Sequence, residues 1–288
     1  MMPNLTTPVL APQAPFKLDF ASSIVSLGSC FAEEIGTRLQ EGGFYIDLNP
    51  FGSLYNPASI ASALQRLIDD REITSADLVE HEGYWHSWHH HGSFSQSTPE
   101  ATLEVCNHRI HQAHRSLEEA NLLMVTFGTA WVFERKGSVV ANCHKLPPQE
   151  FVRRKMTVEE IIALWRPLLE TLHTYYPTLQ IIFSVSPIRH MADGAHGNQL
   201  SKSTLLLAVD ELITKHLPTN TYYFPAYEIV LDELRDYRYF DEKMTHPTSV
   251  AVDVVWERFQ NATMEPAIRQ QAYYNAKQHK REKHIPLH

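Results

Sequence analysis

Cysteine is scarce in this 288-residue chain: Cys30, Cys106 and Cys143 are odd in number and far apart. That spacing supports neither a disulfide framework nor a zinc ribbon, and it suits a reducing compartment. Basic charge is also short, with 25 Lys and Arg against 33 Asp and Glu and a net charge of −8 when the 17 histidines are neutral. Such a balance leaves no footprint for nucleic acid and disfavours an anionic membrane surface. Long apolar runs are missing too, none approaching the roughly 18 residues that span a bilayer. The opening stretch, MMPNLTTPVLAPQAPFKLDF, has neither a basic start nor a long apolar centre, so it does not read as a signal peptide. Together these absences point to a cytoplasmic protein. What remains is ordinary globular composition, 43% hydrophobic and 20% charged, in a chain long enough to bury a core without disulfides or metals.

Residues 1–20 are rich in Pro and Thr and read as an extended arm on the surface. Ile24-Val25-Ser26-Leu27, Leu122-Leu123-Met124-Val125, Ile181-Ile182-Phe183-Ser184-Val185 and Thr221-Tyr222-Tyr223-Phe224 are short apolar runs bounded by turn residues, which suit buried strands. Helical spacing separates them: Phe31, Ile35 and Leu39; Ile60, Leu64, Leu67 and Ile68; Leu103, Cys106, Ile110, Ala113 and Leu117; and Ile161, Leu164, Trp165 and Leu168, the last behind a Thr157/Glu160 capping box and with Pro167 expected to kink it. Leu205, Val209, Leu212 and Ile213 follow a Ser201 cap, and Val252, Val255, Trp256 and Phe259 form a late helix after Pro247. Trp131-Val132-Phe133 and Val139-Val140-Ala141 flank Lys136-Gly137 as a hairpin. Strands alternating with helices predict an α/β fold, a parallel sheet covered on both faces. One domain is expected over 21–262, with a His- and Trp-rich insertion near 79–98 and a polar tail over 263–288, which from Gln270 onward forms a fraying surface helix.

In such sheets ligands bind beyond the carboxyl ends of the strands. Gly28-Ser29, Gly128-Thr129 and Ser186-Pro187 fall there. Ser29 is the sharpest of these residues. On a strand-to-helix turn its hydroxyl serves as nucleophile and its own N–H as an oxyanion donor, although a Gly-Ser pair taken alone more often just ends a strand and caps a helix. Cys30 beside it reads first as a small apolar helix residue, and as a thiol whose pKa a helix N-terminus would lower. Arg189 and His190 lie past a strand end, suited to an anionic group on a substrate or to pairing with surface acids. Cys143-His144 in the hairpin reaches the same region. His81, His86, His89, His90 and His91 cluster with Tyr84, Trp85 and Trp88. Spacings of three and four would let His86, His89 and His90 share a helix face and bind a transition metal, but carboxylates are few, and an exposed aromatic loop or a substrate lid accounts for the stretch more simply.

Five further blocks follow Gly28-Ser29-Cys30-Phe31-Ala32 in order: Asn49-Pro50-Phe51-Gly52; Thr126-Phe127-Gly128-Thr129-Ala130-Trp131; Ala141-Asn142-Cys143-His144-Lys145; Ser186-Pro187-Ile188-Arg189-His190; and His246-Pro247. This series resembles the GSCFA-domain family, a branch of the SGNH/GDSL hydrolase superfamily, over residues 20–260. The resemblance implies a flavodoxin-like three-layer sandwich and a serine esterase or O-acyltransferase acting on an ester, such as an acylated carbohydrate, without a cofactor or metal. It implies Ser29 as nucleophile and His246 as base. For the oxyanion hole it implies the N–H of Ser29, that of Gly52, and an asparagine amide. Gly128, Thr129, Trp131, His144, Arg189 and His190 become candidate substrate contacts. Two positions depart from the pattern. Ala130 stands where the asparagine is expected, leaving Asn142 to compensate, and Lys243 stands where an aspartate should back His246, leaving Asp241 or Glu242. These losses keep a second reading open, a non-catalytic ligand- or glycan-binding protein that retains the cleft.

Overall fold

A computed structural model describes residues 7–216 and 220–283. Its centre is a five-stranded sheet built from β1 (Ser23–Gly28), β2 (Tyr45–Leu48), β5 (Leu122–Phe127), β9 (Gln180–Val185) and β10 (Thr221–Tyr223). The spatial order is β10-β9-β5-β1-β2, and every pairing is parallel. Alternation along the strands assigns side chains to two layers. Val25, Leu27, Leu123, Val125, Phe127, Ile181 and Phe183 pack on one face with α2 (Pro57–Ile68), α3 (Pro99–Glu118), α4 (Val158–Tyr175) and α5 (Gly194–His216). Ile24, Leu122, Met124, Ile182 and Tyr222 pack on the other with α1 (Cys30–Glu41), the one-turn α6 (Ala226–Glu228) and α7 (Ser249–Thr263). The doubly covered parallel sheet predicted from the alternating pattern is present.

All four predicted strands form. The fifth, β2, escaped notice because Tyr45, Ile46, Asp47 and Leu48 make a short edge strand with mixed polarity. Chain order across the sheet is the 2-1-3-4-5 arrangement, whose switch point lies between its first and third strands, here β1 and β5. From there α1 leaves to one face and α4 to the other, opening a crevice at the carboxyl edge.

Several local expectations change. The N-terminal arm is partly built in: Ala14, Phe16 and Leu18 are buried, and the Ala14 and Leu18 N–H groups bond the carbonyls of Ala262 and Thr263. The His-rich segment is a hairpin rather than a loop, β3 (Leu78–His81) and β4 (Tyr84–Ser87), turning through Glu82 and Gly83 at positive φ. Its polarity hid the strand pattern. The predicted hairpin appears as β6 (Trp131–Arg135) and β7 (Ser138–Val140), and β8 (Val152–Lys155) extends it to a three-stranded sheet. Helix α5 begins at Gly194, not at Ser201. The tail forms α8 (Pro266–Lys283), and residues 284–288 lie outside the described part. No helix among the described residues is long and apolar enough to cross a membrane.

Candidate active site

Gly28 closes β1 against β5. A Cβ there would stand 2.6 Å from the Thr126 carbonyl oxygen, so only glycine lets the two strands meet at the crevice. Ser29 follows as the N-cap of α1 in extended conformation, yet its hydroxyl makes no capping bond. The side chain is 2% exposed and packs against Gly128, and Oγ has no partner among the described residues. Its N–H points at the Thr126 carbonyl oxygen, 3.4 Å away. The expected nucleophile and its N–H are therefore both turned into the sheet end. The chain swings outward one residue later, and the side chain on the cleft wall is that of Cys30.

That cleft encloses about 930 Å³. Cys30, Tyr55, Asn56, Thr129 and His190 line its floor side, and His246 lines it from the loop before α7. The small β7-β6-β8 sheet supplies an aromatic wall of Trp131 and Phe133, with Phe151 beside it. Arg153 lies over the Trp131 ring at 4.1 Å and pairs with Asp193 at 2.6 Å.

Tyr55 fixes the floor. Its carbonyl accepts the N–H groups of Gly128 (2.8 Å) and Thr129 (2.9 Å), joining the β2–α2 loop to the end of β5. Both amides are thereby spent and unavailable to a substrate. The Tyr55 hydroxyl sits beside the Cys30 thiol; burial, and then Cys30, push its pKa up to about 12. Burial also raises the Cys30 pKa above the ordinary thiol value. Its own N–H and the Tyr55 hydroxyl oppose that rise, and the charges of Glu33 and Glu34 add to it.

Asp241 and His246 close a tight loop. Asp241 Oδ1 accepts the N–H groups of Thr245 (2.9 Å) and His246 (3.1 Å), and the Asp241 N–H donates to the His246 carbonyl (2.8 Å). Its other oxygen stands 3.6 Å from His246 Nδ1, which also meets the Thr245 hydroxyl at 3.0 Å. These backbone bonds, the one from Thr245 foremost, hold the Asp241 carboxyl below the usual carboxylate range. Glu242 and Lys243 are exposed, and no bond joins Glu242 to the histidine among the described residues. Of the two carboxylates left open by the sequence, Asp241 is the one in contact. Arg189 braces the loop, its N–H on the Thr245 carbonyl (3.0 Å) and its guanidinium on that of Met244 (3.2 Å). Burial, and after it Lys202 and His246, lower the His190 pKa to about 4, with Asp193 opposing them.

The remaining predicted residues divide. Asn142 lines the cleft; its Oδ1 accepts the His144 N–H at 2.8 Å, leaving the amide nitrogen without a partner among the described residues. Gly52 does not reach the cleft, because its N–H is bonded to the Asn49 carbonyl (2.7 Å) and its α-carbon faces His91. His144 is buried and bonded to the Ser87 carbonyl at 2.8 Å. It borders a neighbouring pocket of about 470 Å³ with His81, His86 and His91. The histidines expected to share a helix face diverge: His86 bonds Ser95 and the His81 carbonyl, His89 bonds Asp77, and His90 is sealed between Ser87 and Phe51. Among the described residues no cluster of three such side chains is arranged to hold a metal.

Three contributors went unrecognised: Tyr55, Asn56 and Lys202. Lys202 is 0% exposed, and its Nζ donates at 2.6 Å to the carbonyls of both Gly128 and Ser186, tying together the ends of β5 and β9. Burial brings its pKa down to about 7, partly offset by Cys30. A signal was available, because Lys202 falls on the same helical stripe as Leu205, Val209 and Leu212, a face where a lysine is out of place.

A doubly covered parallel sheet with an aromatic, histidine-bearing cleft at its switch point marks a three-layer α/β protein. This chain belongs to the GSCFA family, whose model matches residues 23–259. No curated protein matches it in sequence. Similar solved structures include a carbohydrate esterase family 3 protein from Talaromyces cellulolyticus (9% identity, 88% of this chain and 99% of that one, TM-score 0.38). A family 3 carbohydrate esterase from Clostridium thermocellum is 9% identical over 86% of this chain and 98% of that one, TM-score 0.39. A protein assigned as a GDSL-like lipase from Parabacteroides merdae is 14% identical over 88% and 99%, TM-score 0.42. At these identities and scores the likenesses say nothing of this chain's chemistry.

Proposed function

We propose that this chain hydrolyses an ester, or transfers its acyl group, in the cleft at the β1/β5 switch point. His246 acts as general base and then general acid, and Asp241 and Thr245 hold its Nδ1 side so that Nε2 serves the reaction. The observation that carries this reading is the Asp241–His246 loop on the wall of the same 930 Å³ cleft that receives the β1–α1 turn. A base oriented through its far nitrogen is what acyl transfer requires. The unpaired amide of Asn142 is a donor for the oxyanion. The aromatic wall and the cleft volume suit a substrate larger than a short acyl group, and an acylated carbohydrate fits them, its ring against Trp131 or Phe133.

A non-catalytic glycan-binding protein is the second reading. It draws on the burial of Ser29 and on Ala130, buried where the resemblance calls for an asparagine. A panel separates the two: p-nitrophenyl acetate, p-nitrophenyl butyrate and a peracetylated monosaccharide, followed by acid release. Saturable turnover of any of them supports the enzyme. Binding of the sugar without turnover supports the alternative.

A further inference from the structure

We infer that the nucleophile of this cleft is the thiol of Cys30, with Ser29 serving as the buried hinge that presents it. The inference rests on the acyl-transfer reading and assigns the group that reading leaves open. Four features of the cluster bear on it.

The first is access. Ser29 is 2% exposed and packed on Gly128, whereas Cys30 stands on the cleft wall. A carbonyl carbon in the cleft meets sulfur before it meets the serine oxygen. The second is the backbone. Cys30 is the first residue of a 12-residue helix, and its N–H, which lies beside its own sulfur, has no backbone partner among the described residues. A tetrahedral oxyanion formed on an acyl group at Cys30 would find that N–H in place, and the Asn142 amide lines the same cleft. The third is the base, His246, on the same cleft with Asp241 behind it. The fourth is the surround. Tyr55 lies against the sulfur, and Lys202 is buried behind the turn, with its Nζ on the Gly128 carbonyl.

The charged and titratable groups facing the thiol set how it is activated. Glu33 and Glu34 of α1 disfavour the thiolate, as does burial; Tyr55 from the β2–α2 loop favours it. Lys202 from α5 is coupled electrostatically to Cys30, and His190 from the β9–α5 loop and His246 line the same cleft. The resting group is thus a thiol, and it ionises when His246 takes its proton rather than existing as a standing ion pair. In the first half-reaction the S–H proton passes to His246, the S–C bond forms and the ester C–O bond breaks. The imidazolium then returns the proton to the leaving alcohol. In the second half, water or an acceptor hydroxyl gives a proton to His246 and attacks the thioester. The C–S bond breaks, and the proton returns to sulfur.

The test is acyl capture on the full chain. Protein is mixed with p-nitrophenyl acetate at neutral pH and acid-quenched. It is then examined by intact mass and peptide mapping, with and without neutral hydroxylamine, which cleaves thioesters readily and alkyl oxygen esters slowly. The expected result is one acetyl group on the peptide bearing Cys30, removed by hydroxylamine. C30A should lack both adduct and turnover, and S29A should still carry the adduct on Cys30. C30S, which preserves size and fold, should lose the hydroxylamine-labile adduct, so that misfolding of C30A does not decide the matter. An acetyl group on Ser29, or His246-dependent turnover that survives C30A, overturns the thiol assignment and leaves the acyl-transfer reading standing. Absence of turnover on every ester overturns both.

Discussion

Asp241 meets His246 twice: one carboxylate oxygen accepts the histidine's own N–H at 3.1 Å, and the other stands 3.6 Å from its ring. The carboxylate therefore builds the loop as well as backing the imidazole. Replacing it should do more damage than loss of a charge alone. D241N is expected to lower kcat about 10²–10³-fold, within the range of general acid–base effects, while E242Q stays within about twofold. Equal activity in both variants would remove Asp241 from the mechanism. Because its folded pKa is held low, Asp241 contributes to the loop at all pH values above its unfolded value of about 3.9. That contribution is lost only as pH falls through the still lower folded pKa. The Tm difference between wild type and D241N should therefore persist at pH 5.

Asn142 separates a donor from a spacer. Its oxygen holds the His144 N–H, where the backbone turns through positive φ at His144 and Lys145. N142D keeps that acceptor and removes the amide donor. We expect kcat to fall about 10²–10³-fold in N142D, the cost of one oxyanion donor, with KM and Tm little changed. An unchanged kcat would exclude Asn142 from the oxyanion hole.

Lys202 predicts an unusual alkaline gain. Its folded pKa, about 7, lies below the ordinary value of about 10.4 for lysine, so between those limits the unfolded chain binds more protons than the folded one. Stability should then rise with pH, by up to about 1.4 kcal/mol per unit. Urea unfolding of wild type at pH 7 and 8.5 should show the gain, and K202M should not. K202M should also be less stable at both pH values, because the Gly128 and Ser186 carbonyls lose their donor.

The buried histidines act on the acid side. Burial pulls His90 to about 3 and His144 to about 4, below their unfolded value. Each stays neutral in the fold while the unfolded form takes up a proton below about pH 6.5. Their neutral burial is fully tolerated above that pH, and stability falls as pH drops toward 4. Between pH 6.5 and 5 the loss should be on the order of 1–2 kcal/mol per histidine. H90F should flatten the slope measured by urea unfolding, and an unaltered slope would show that His90 is not among its sources.

The legible and illegible parts of this molecule differ physically. Strands such as Ile181–Val185 are buried on both faces, so their sequence is continuously apolar and their place in a parallel sheet follows. The edge strand Tyr45–Leu48 and the hairpin Leu78–Ser87 carry polar residues on exposed faces, and periodicity fails there. The order of motif blocks located the cleft and brought Thr129, Trp131, Asn142, Arg189, His190 and His246 to it. It pointed to Ser29 as the outward-facing residue, whereas Ser29 is buried and Cys30 lines the cleft, because facing depends on the turn's dihedral angles. Nor could spacing distinguish Asp241 from Glu242, since a backbone-bonded loop replaces the expected three-residue interval.

The proposed role of His246 as the base of this cleft is tested most directly by turnover of the best ester from the panel by wild type and by H246Q at neutral pH, with both proteins shown to be folded. A histidine acting as base and acid predicts a loss of about 10²–10⁴-fold in kcat/KM. Equal rates in the two proteins would contradict it.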